Sequence, residues 1–409
     1  MTISEAASLL LVLTALFAYL NARVLHLPGT IGIMLIALAV SLVLLAATEM
    51  GLPLARVAKQ MLHAIDFNRA LMGVMLGFLL FAGALQVDLG ELSEQRWPVA
   101  FLAVAGVVLS TFLVGGGIYL AFSLLGRPLP WIWCAVFGAL ISPTDPIAVL
   151  AIIRKAGAPK ALELKVAGES LFNDGVGIVV FLELLGFATG DPGVDLAHAM
   201  LFFLREAIGG AAFGAMAGVA AFVMLRRIDD YDVEVLITVA LVTGGYSAAE
   251  ALGVSAPIAI VVAGLIVGNY GRAHAMSART RARLDTFWGM SDAMLNGVLF
   301  VLIGLELLVL PLDPSHAFAA LIAIPIVLLA RFVSVAVPAV LPLIGRCFDA
   351  QTVKVLTWGG LRGGISIALA LSLPASPYRD TLVMMTYGCA LFAIAVQGLT
   401  VGRLVARGG

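Results

Sequence analysis

The sequence predicts an all-α polytopic membrane protein of thirteen transmembrane helices, with inverted repeats and two crossing broken helices at spans 5 and 12. Three observations carry that reading. The 409 residues are 62% hydrophobic and only 12% charged, with a mean hydropathy of +1.08, and so few polar side chains would not cover a water-facing surface. Apolar runs recur along the whole chain at the length a spanning helix needs, about 20 residues, to satisfy its backbone within hydrocarbon. Two of these runs are interrupted near their middles by Pro or Gly, and they lie seven spans apart.

In order, the spans cover residues 4–20, 30–48, 70–88, 97–124, 131–153, 163–189, 198–225, 233–251, 254–270, 286–310, 316–345, 351–374 and 380–402. The first is expected to stay in place, because Met-Thr-Ile-Ser-Glu is not a basic leader and no small-x-small cleavage site follows it, so no signal peptide is expected. Spans eight and nine are short and parted by Gly253. The connection over 51–69, GLPLARVAKQMLHAIDFNR, has helical spacing with basic residues on one side. It is expected to lie at the outer interface as an amphipathic linker without chemistry of its own.

Loop charge orients the spans, since cytoplasmic loops collect Lys and Arg. With the N-terminus outside, 16 basic residues fall on the inside and 6 on the outside, which predicts N-terminus out and C-terminus in and supports an odd number of spans. The two remaining basic residues, Arg331 and Arg362, sit inside predicted helices, a costly placement that marks function. Cys134, Cys347 and Cys389 are too few and scattered for a disulfide framework or metal cluster, and the five histidines lie near predicted helix ends. No metal chemistry, no cofactor and no nucleic-acid partner are expected.

Span five reads WIWCAVFGALISPTDPIAVLAIIRK, with Pro143 and Pro146 bracketing Thr144 and Asp145. Each proline removes a backbone donor and clashes with the preceding turn, so the helix breaks there. Span twelve reads QTVKVLTWGGLRGGISIALALSLP, with paired glycines flanking Leu361 and Arg362. Interrupted helices at corresponding positions of two halves point to an inverted-repeat transporter with its ion site at the midplane. Crossing half-helix ends leave two partial positive and two partial negative termini in the low-dielectric core. Asp145 suits the positive ends and Arg362 the negative ones.

Span six contains ESLFNDGVGIVVF, residues 169–181. At 100° per residue from Glu169, Asn173 lies at about 40°, Gly177 at about 80°, Ser170 at about 100° and Asp174 at about 140°. Four polar side chains therefore share a face with a glycine that lets another helix or an unwound backbone come close. Hydrogen-bonding glue between helices would need only Ser and Asn, not two carboxylates. Glu169 requires a compensating charge, and Arg331 in span eleven is the expected partner. Asp174 is then left without a dedicated cation, the condition for a site that exchanges its occupant.

The motifs SPTDPIAV, GESLFNDGVGIVVF and GGLRGGISIALALSLP, in that order and joined by LLFAGALQVDL in span three, resemble the cation/proton antiporter superfamily. They resemble specifically its CPA1 branch of sodium/proton exchangers, the bacterial and archaeal NhaP type and the animal NHE type. The resemblance covers nearly the whole chain. It implies thirteen helices, a homodimer and an elevator-like alternating access of a six-helix core. It assigns residues 1–96 (spans 1–3) to a dimerisation domain, 97–190 (spans 4–6) to the first half of the core, 191–311 (spans 7–10) to a linker and dimerisation domain, and 312–409 (spans 11–13) to the second core half. Asp174 would bind the ion and the proton, with Asn173 completing the family's Asn-Asp pair. Thr144, Asp145, Ser170 and Glu169 would surround the ion, with Na+ held at Asp174, Ser170 and Thr144. Arg331 would pair with Glu169, and Arg362 would occupy the second broken helix. The chain stops at Gly409 just beyond span thirteen, so no C-terminal regulatory domain is expected.

The expected mechanism is competition for one carboxylate. Burial disfavours the charged form of Asp174, so it holds a proton near neutral pH, and a partly dehydrated Na+ held by oxygens can replace that proton. If the bare carboxylate is too costly to carry, the core moves only when loaded, and competition becomes coupled exchange of Na+ or Li+ for H+ across the cell membrane. Charge-moving relatives carry Asp-Asp where this chain has Asn173-Asp174, so the expected stoichiometry is electroneutral, one for one. The alternative is K+/H+ exchange, because motifs do not reveal cavity size or ligand number. An intramembrane aspartyl protease would present Gly-x-Gly-Asp, which is missing around Asp174. A passive cation channel would need no alternately protonated site.

Overall fold

The computed structural model describes residues 2–50, 58–60, 62, 73, 75–190, 196–272, 275–310, 313–341 and 345–406. The expected linker over 51–69 lies outside these except at 58–60 and 62, as does the start of span three. The described residues are helical, with no strand and one isolated bridge between residues 145 and 361.

The helices are α1 (Ile3–Leu20), α2 (Gly29–Glu49), α3 (Leu76–Leu85), α4 (Leu89–Glu94) and α5 (Arg96–Leu124). Then come α6 (Trp131–Ile141), α7 (Ile147–Lys155), α8 (Lys160–Thr189), α9 (Leu196–Leu225) and α10 (Tyr231–Leu252). The chain finishes with α11 (Ala256–Ile266), α12 (Ala278–Glu306), α13 (Pro314–Ala336), α14 (Ala350–Trp358), α15 (Gly364–Leu371) and α16 (Arg379–Val405). Nine helices among the described residues are long and apolar enough to cross a membrane. Their outer faces carry large apolar side chains such as Val43, Leu201 and Leu236, each about two-thirds exposed. Such surface is stable in lipid, where tails are as apolar as leucine.

Local chemistry sets the ends. The Thr2 hydroxyl and the Glu5 carboxylate cap the start of α1 reciprocally. Gly253, at φ 64°, ends α10 in the left-handed region, and Ser255 caps α11 two residues later, which separates the two short spans. Expected boundaries move on two helices. α12 starts at Ala278 rather than 286, because the Ser277 hydroxyl accepts the Thr280 N–H at 3.3 Å and the charged turn that follows is helical beyond the apolar run. α13 starts at Pro314 behind the Asp313 cap and ends at Ala336, where a tighter turn holding Pro338 replaces the helix expected to reach 345.

Small residues let the helices pack closely. Gly210, Gly214 and Gly218 of α9 run along the backbone of α11; a Cβ on Gly210 would lie 2.7 Å from the Ser255 carbonyl oxygen and one on Gly218 3.0 Å from Ala263 Cα. α5 packs on α6 and α13, and α8 packs on α6. The axis of span five stops at Ile141 and resumes at Ile147, and that of span twelve stops at Trp358 and resumes at Gly364. The two gaps meet: the Asp145 N–H donates to the Leu361 carbonyl at 2.8 Å.

Candidate functional site

The gap between α6 and α7 has lost its helical hydrogen bonds, so its carbonyls need other donors. Arg362, buried in the opposing gap, supplies them: its Nη1 donates to the Ser142 carbonyl at 2.6 Å and to the Pro143 carbonyl at 3.0 Å. The end of α14 receives the same treatment from Arg331, whose Nε and Nη2 donate to the Leu356 carbonyl at 3.2 and 3.0 Å. An arginine therefore meets each partial negative end. Asp145 lies where α15 begins: a Cβ built on Gly363 would fall 2.7 Å from the Asp145 Cβ.

α8 lays its polar face against the first gap. The Ser170 hydroxyl donates to the Thr144 carbonyl, and Asn173 Nδ2 donates to the Thr144 hydroxyl at 2.8 Å. Gly177 sits on the same face, and a Cβ there would run into the Pro143 ring. Glu169 and Arg331 form a two-pronged ion pair, Nη1 to Oε1 and Nη2 to Oε2, the second at 2.9 Å. The buried Asn173 Oδ1 and Arg362 Nη2 have no hydrogen-bond partner.

A cavity of about 370 Å³ reaches this cluster, lined by Thr144, Asp145, Ser170 and Asp174. Asp174 is 8% exposed, and among the described residues no Lys or Arg forms an ion pair with it. Glu169, Asn173, Arg331 and Arg362 do not line the cavity; they stand behind its wall. The mouth carries Asp88, Glu91, Arg154, Lys160 and Glu163. Chemically, the arrangement offers the Asp174 carboxylate, in a lining that also holds Asp145 and Asp292 and the hydroxyl-bearing Thr144 and Ser170, a set that suits a proton or a hard monovalent cation. Among the described residues no group of three or more His, Cys, Asp or Glu is placed to hold a metal, and the three cysteines are free.

Asp292 and Ser366 are among the cavity residues that escape the sequence reading. Asp292 of α12 lines the wall provided by a different stretch of chain and accepts from Asn296 Nδ2 at 3.0 Å; an i, i+4 polar pair inside an apolar helix was the available signal. Ser366 of α15 also lines the cavity, and nothing in its sequence neighbourhood distinguishes it from a core serine.

The family described as sodium/hydrogen exchanger, transmembrane, matches residues 12–407. The chain is 50% identical over 401 residues to the Na+/H+ antiporter NhaP of Pseudomonas aeruginosa, a match spanning 97% of this chain and 94% of that one. It is 33% identical over 398 residues to the Na+/H+ antiporter NhaH of Halobacillus dabanensis, across 95% and 94% of the two chains. The fold is similar to that of the sodium proton antiporter MjNhaP1 from Methanocaldococcus jannaschii, with a TM-score of 0.76 at 20% identity over 99% of each chain.

Proposed function

The chain belongs to the sodium/hydrogen exchanger family, and from that premise we propose that it exchanges Na+ or Li+ for H+ across the cell membrane, with Asp174 binding either ion in turn. The observation that carries the reading is the separation of charges in the site. Glu169 is consumed by Arg331 and Arg362 is committed to backbone carbonyls, whereas Asp174, the other carboxylate of the 169–174 stretch of α8, lines the cavity without an ion-pair partner among the described residues.

A bare carboxylate in this surrounding is costly, so it favours an occupant, and one negative charge accepts one Na+ or one H+. Thr144 and Ser170 line the same cavity as Asp174, which supports their role as Na+ ligands, and Asn173 positions the Thr144 hydroxyl. One exchanging carboxylate gives an electroneutral one-for-one cycle. No observation favours K+ as the cargo.

The transport cycle is alternating access. The charged mouth of the cavity lies at the 88–91 and 154–163 segments, which the loop charges put on the cytoplasmic side, so this conformation opens inward and the C-terminus lies inside. Residues 97–190 and 312–409 form the moving core: Thr144, Asp145, Glu169, Ser170, Asn173 and Asp174 come from the first, Arg331 and Arg362 from the second. Residues 1–96 and 191–311 form the dimerisation part, whose α12 supplies the wall bearing Asp292. Thirteen spans, two of them broken and crossing at 142–146 and 359–363, and a homodimer complete this architecture.

The test is cation-induced proton movement in proteoliposomes, with Li+, Na+ and K+ added in turn to a preformed pH gradient. Dissipation by Na+ and Li+ is expected. Dissipation by K+ alone, or cation flux that ignores the pH gradient, overturns the reading.

A further inference from the structure

Three hydroxyl side chains line the cavity among the described residues, those of Thr144, Ser170 and Ser366. Two are engaged inside the protein, since Ser170 donates to the Thr144 carbonyl and the Thr144 hydroxyl accepts from Asn173. Ser366 is different. It is 1% exposed, and its Oγ has no hydrogen-bond partner.

The cause is the break in the helix. Several serines and threonines in these helices return the hydroxyl to a carbonyl one turn back, as Thr14 does to Leu10 at 2.8 Å, Ser142 to Gly138 at 2.7 Å and Thr386 to Leu382 at 2.7 Å, while the buried Ser110 and Thr357 hydroxyls do not and line no part of this cavity. α15 starts at Gly364, so the carbonyls one turn before Ser366 belong to Arg362 and Gly363, and Gly363 is extended at φ −120° and ψ −157°. The usual acceptor is out of place. An unbonded buried hydroxyl is costly, and Ser366 is among the residues that line the cavity together with Asp174 and Asp145.

Position agrees with a role in the ion's shell. Gly363 abuts Asp145, and Ser366 stands one helical turn further along the same face. Its oxygen is neutral, so it adds a ligand without changing the charge carried per cycle, and it comes from the second broken helix, opposite the ligands supplied by the first.

We propose that Ser366 supplies an oxygen to the cation held at Asp174, directly or through one water of the ion's shell, and so helps to set the affinity for Li+, Na+ and K+. The inference rests on the exchange function proposed above. Neutral hydroxyls are modest ligands, so its removal is expected to weaken cation binding and leave proton binding in place.

The experiment measures apparent KM and maximal rate for Na+ and Li+ in proteoliposomes of the full chain, comparing wild type with Ser366→Ala, Ser366→Thr, Ser366→Cys and Asp174→Asn. Ser366→Ala should raise the Na+ KM about fivefold, the effect of losing one neutral hydrogen-bonding or ligating group, with the maximal rate little changed and the Li+ to Na+ ratio of KM altered. Ser366→Thr, which keeps the hydroxyl, should restore most of the affinity. Ser366→Cys fills the same space with a sulfur that is a poor ligand for hard cations, and it should behave like Ser366→Ala; it decides the matter if the alanine variant does not fold. Wild-type KM values for both cations in Ser366→Ala or Ser366→Cys overturn the inference, as does a fall in rate alone, which marks a structural role. Exchange in Asp174→Asn would instead sink the proposed function.

Discussion

Arg331 grips Glu169 with both ends of its guanidinium, Nη1 on Oε1 and Nη2 2.9 Å from Oε2, while Nε and Nη2 also hold the Leu356 carbonyl. One side chain neutralises a buried carboxylate and caps the end of α14. The pair is no proof of high stability, because desolvation offsets much of the attraction.

Removing one partner is another matter. Arg331→Ala is expected to destabilise the protein by about 3–5 kcal/mol, since it strands Glu169 as an uncompensated buried charge. Adding Glu169→Gln should recover part of that loss but not all, because the Leu356 carbonyl stays uncapped. Thermal unfolding of the single and double variants in detergent checks this. A double variant no more stable than the single one would argue against the pair.

Gly177 makes a steric prediction. A methyl group there meets the Pro143 ring, so Gly177→Ala should cost about 1–3 kcal/mol through overpacking and slow exchange by shifting the 142–146 gap. Gly244 of α10 is the control, because a Cβ there meets nothing within 4 Å; Gly244→Ala should be neutral or stabilise by up to about 1 kcal/mol. Equal behaviour of the two variants in unfolding and transport assays would remove the argument from close approach.

How far the site can be read from the sequence depends on what makes each part. The two gaps follow from Pro143, Pro146 and the glycine pairs, because backbone chemistry is local. The shared face of Glu169, Ser170, Asn173, Asp174 and Gly177 follows from helical period. Arg331 stood out because a charge inside an apolar run needs a reason. The Asp145–Leu361 bridge, the Leu356 cap and the approach of Asp292 depend on how distant segments pack, and no local pattern encodes them. Ser366 escaped because its importance lies in a missing acceptor one turn back, which only the start of α15 at Gly364 reveals.

Voltage gives the next prediction. With Glu169 offset by Arg331 and position 173 an asparagine, one carboxylate carries either ion and no net charge moves per cycle. A membrane potential acts with about 2.3 kcal/mol per charge at 100 mV, so even one uncompensated charge would register. Na+/H+ exchange in proteoliposomes should reach the same final pH gradient with the potential clamped at zero or set strongly negative with K+ and valinomycin. A gradient that tracks the voltage would require a second exchanging group, with Glu169 and Asp292 the first to examine.

The central claim is that Asp174 is the carboxylate for which Na+ and H+ compete, and one substitution tests it most directly. Asp174→Asn keeps the shape of the side chain and removes its titration. Reconstituted beside wild type and checked for an unchanged folded assembly, this variant should show no Na+-driven proton movement at any pH or Na+ concentration. Sodium-driven proton movement at the wild-type rate would contradict the account.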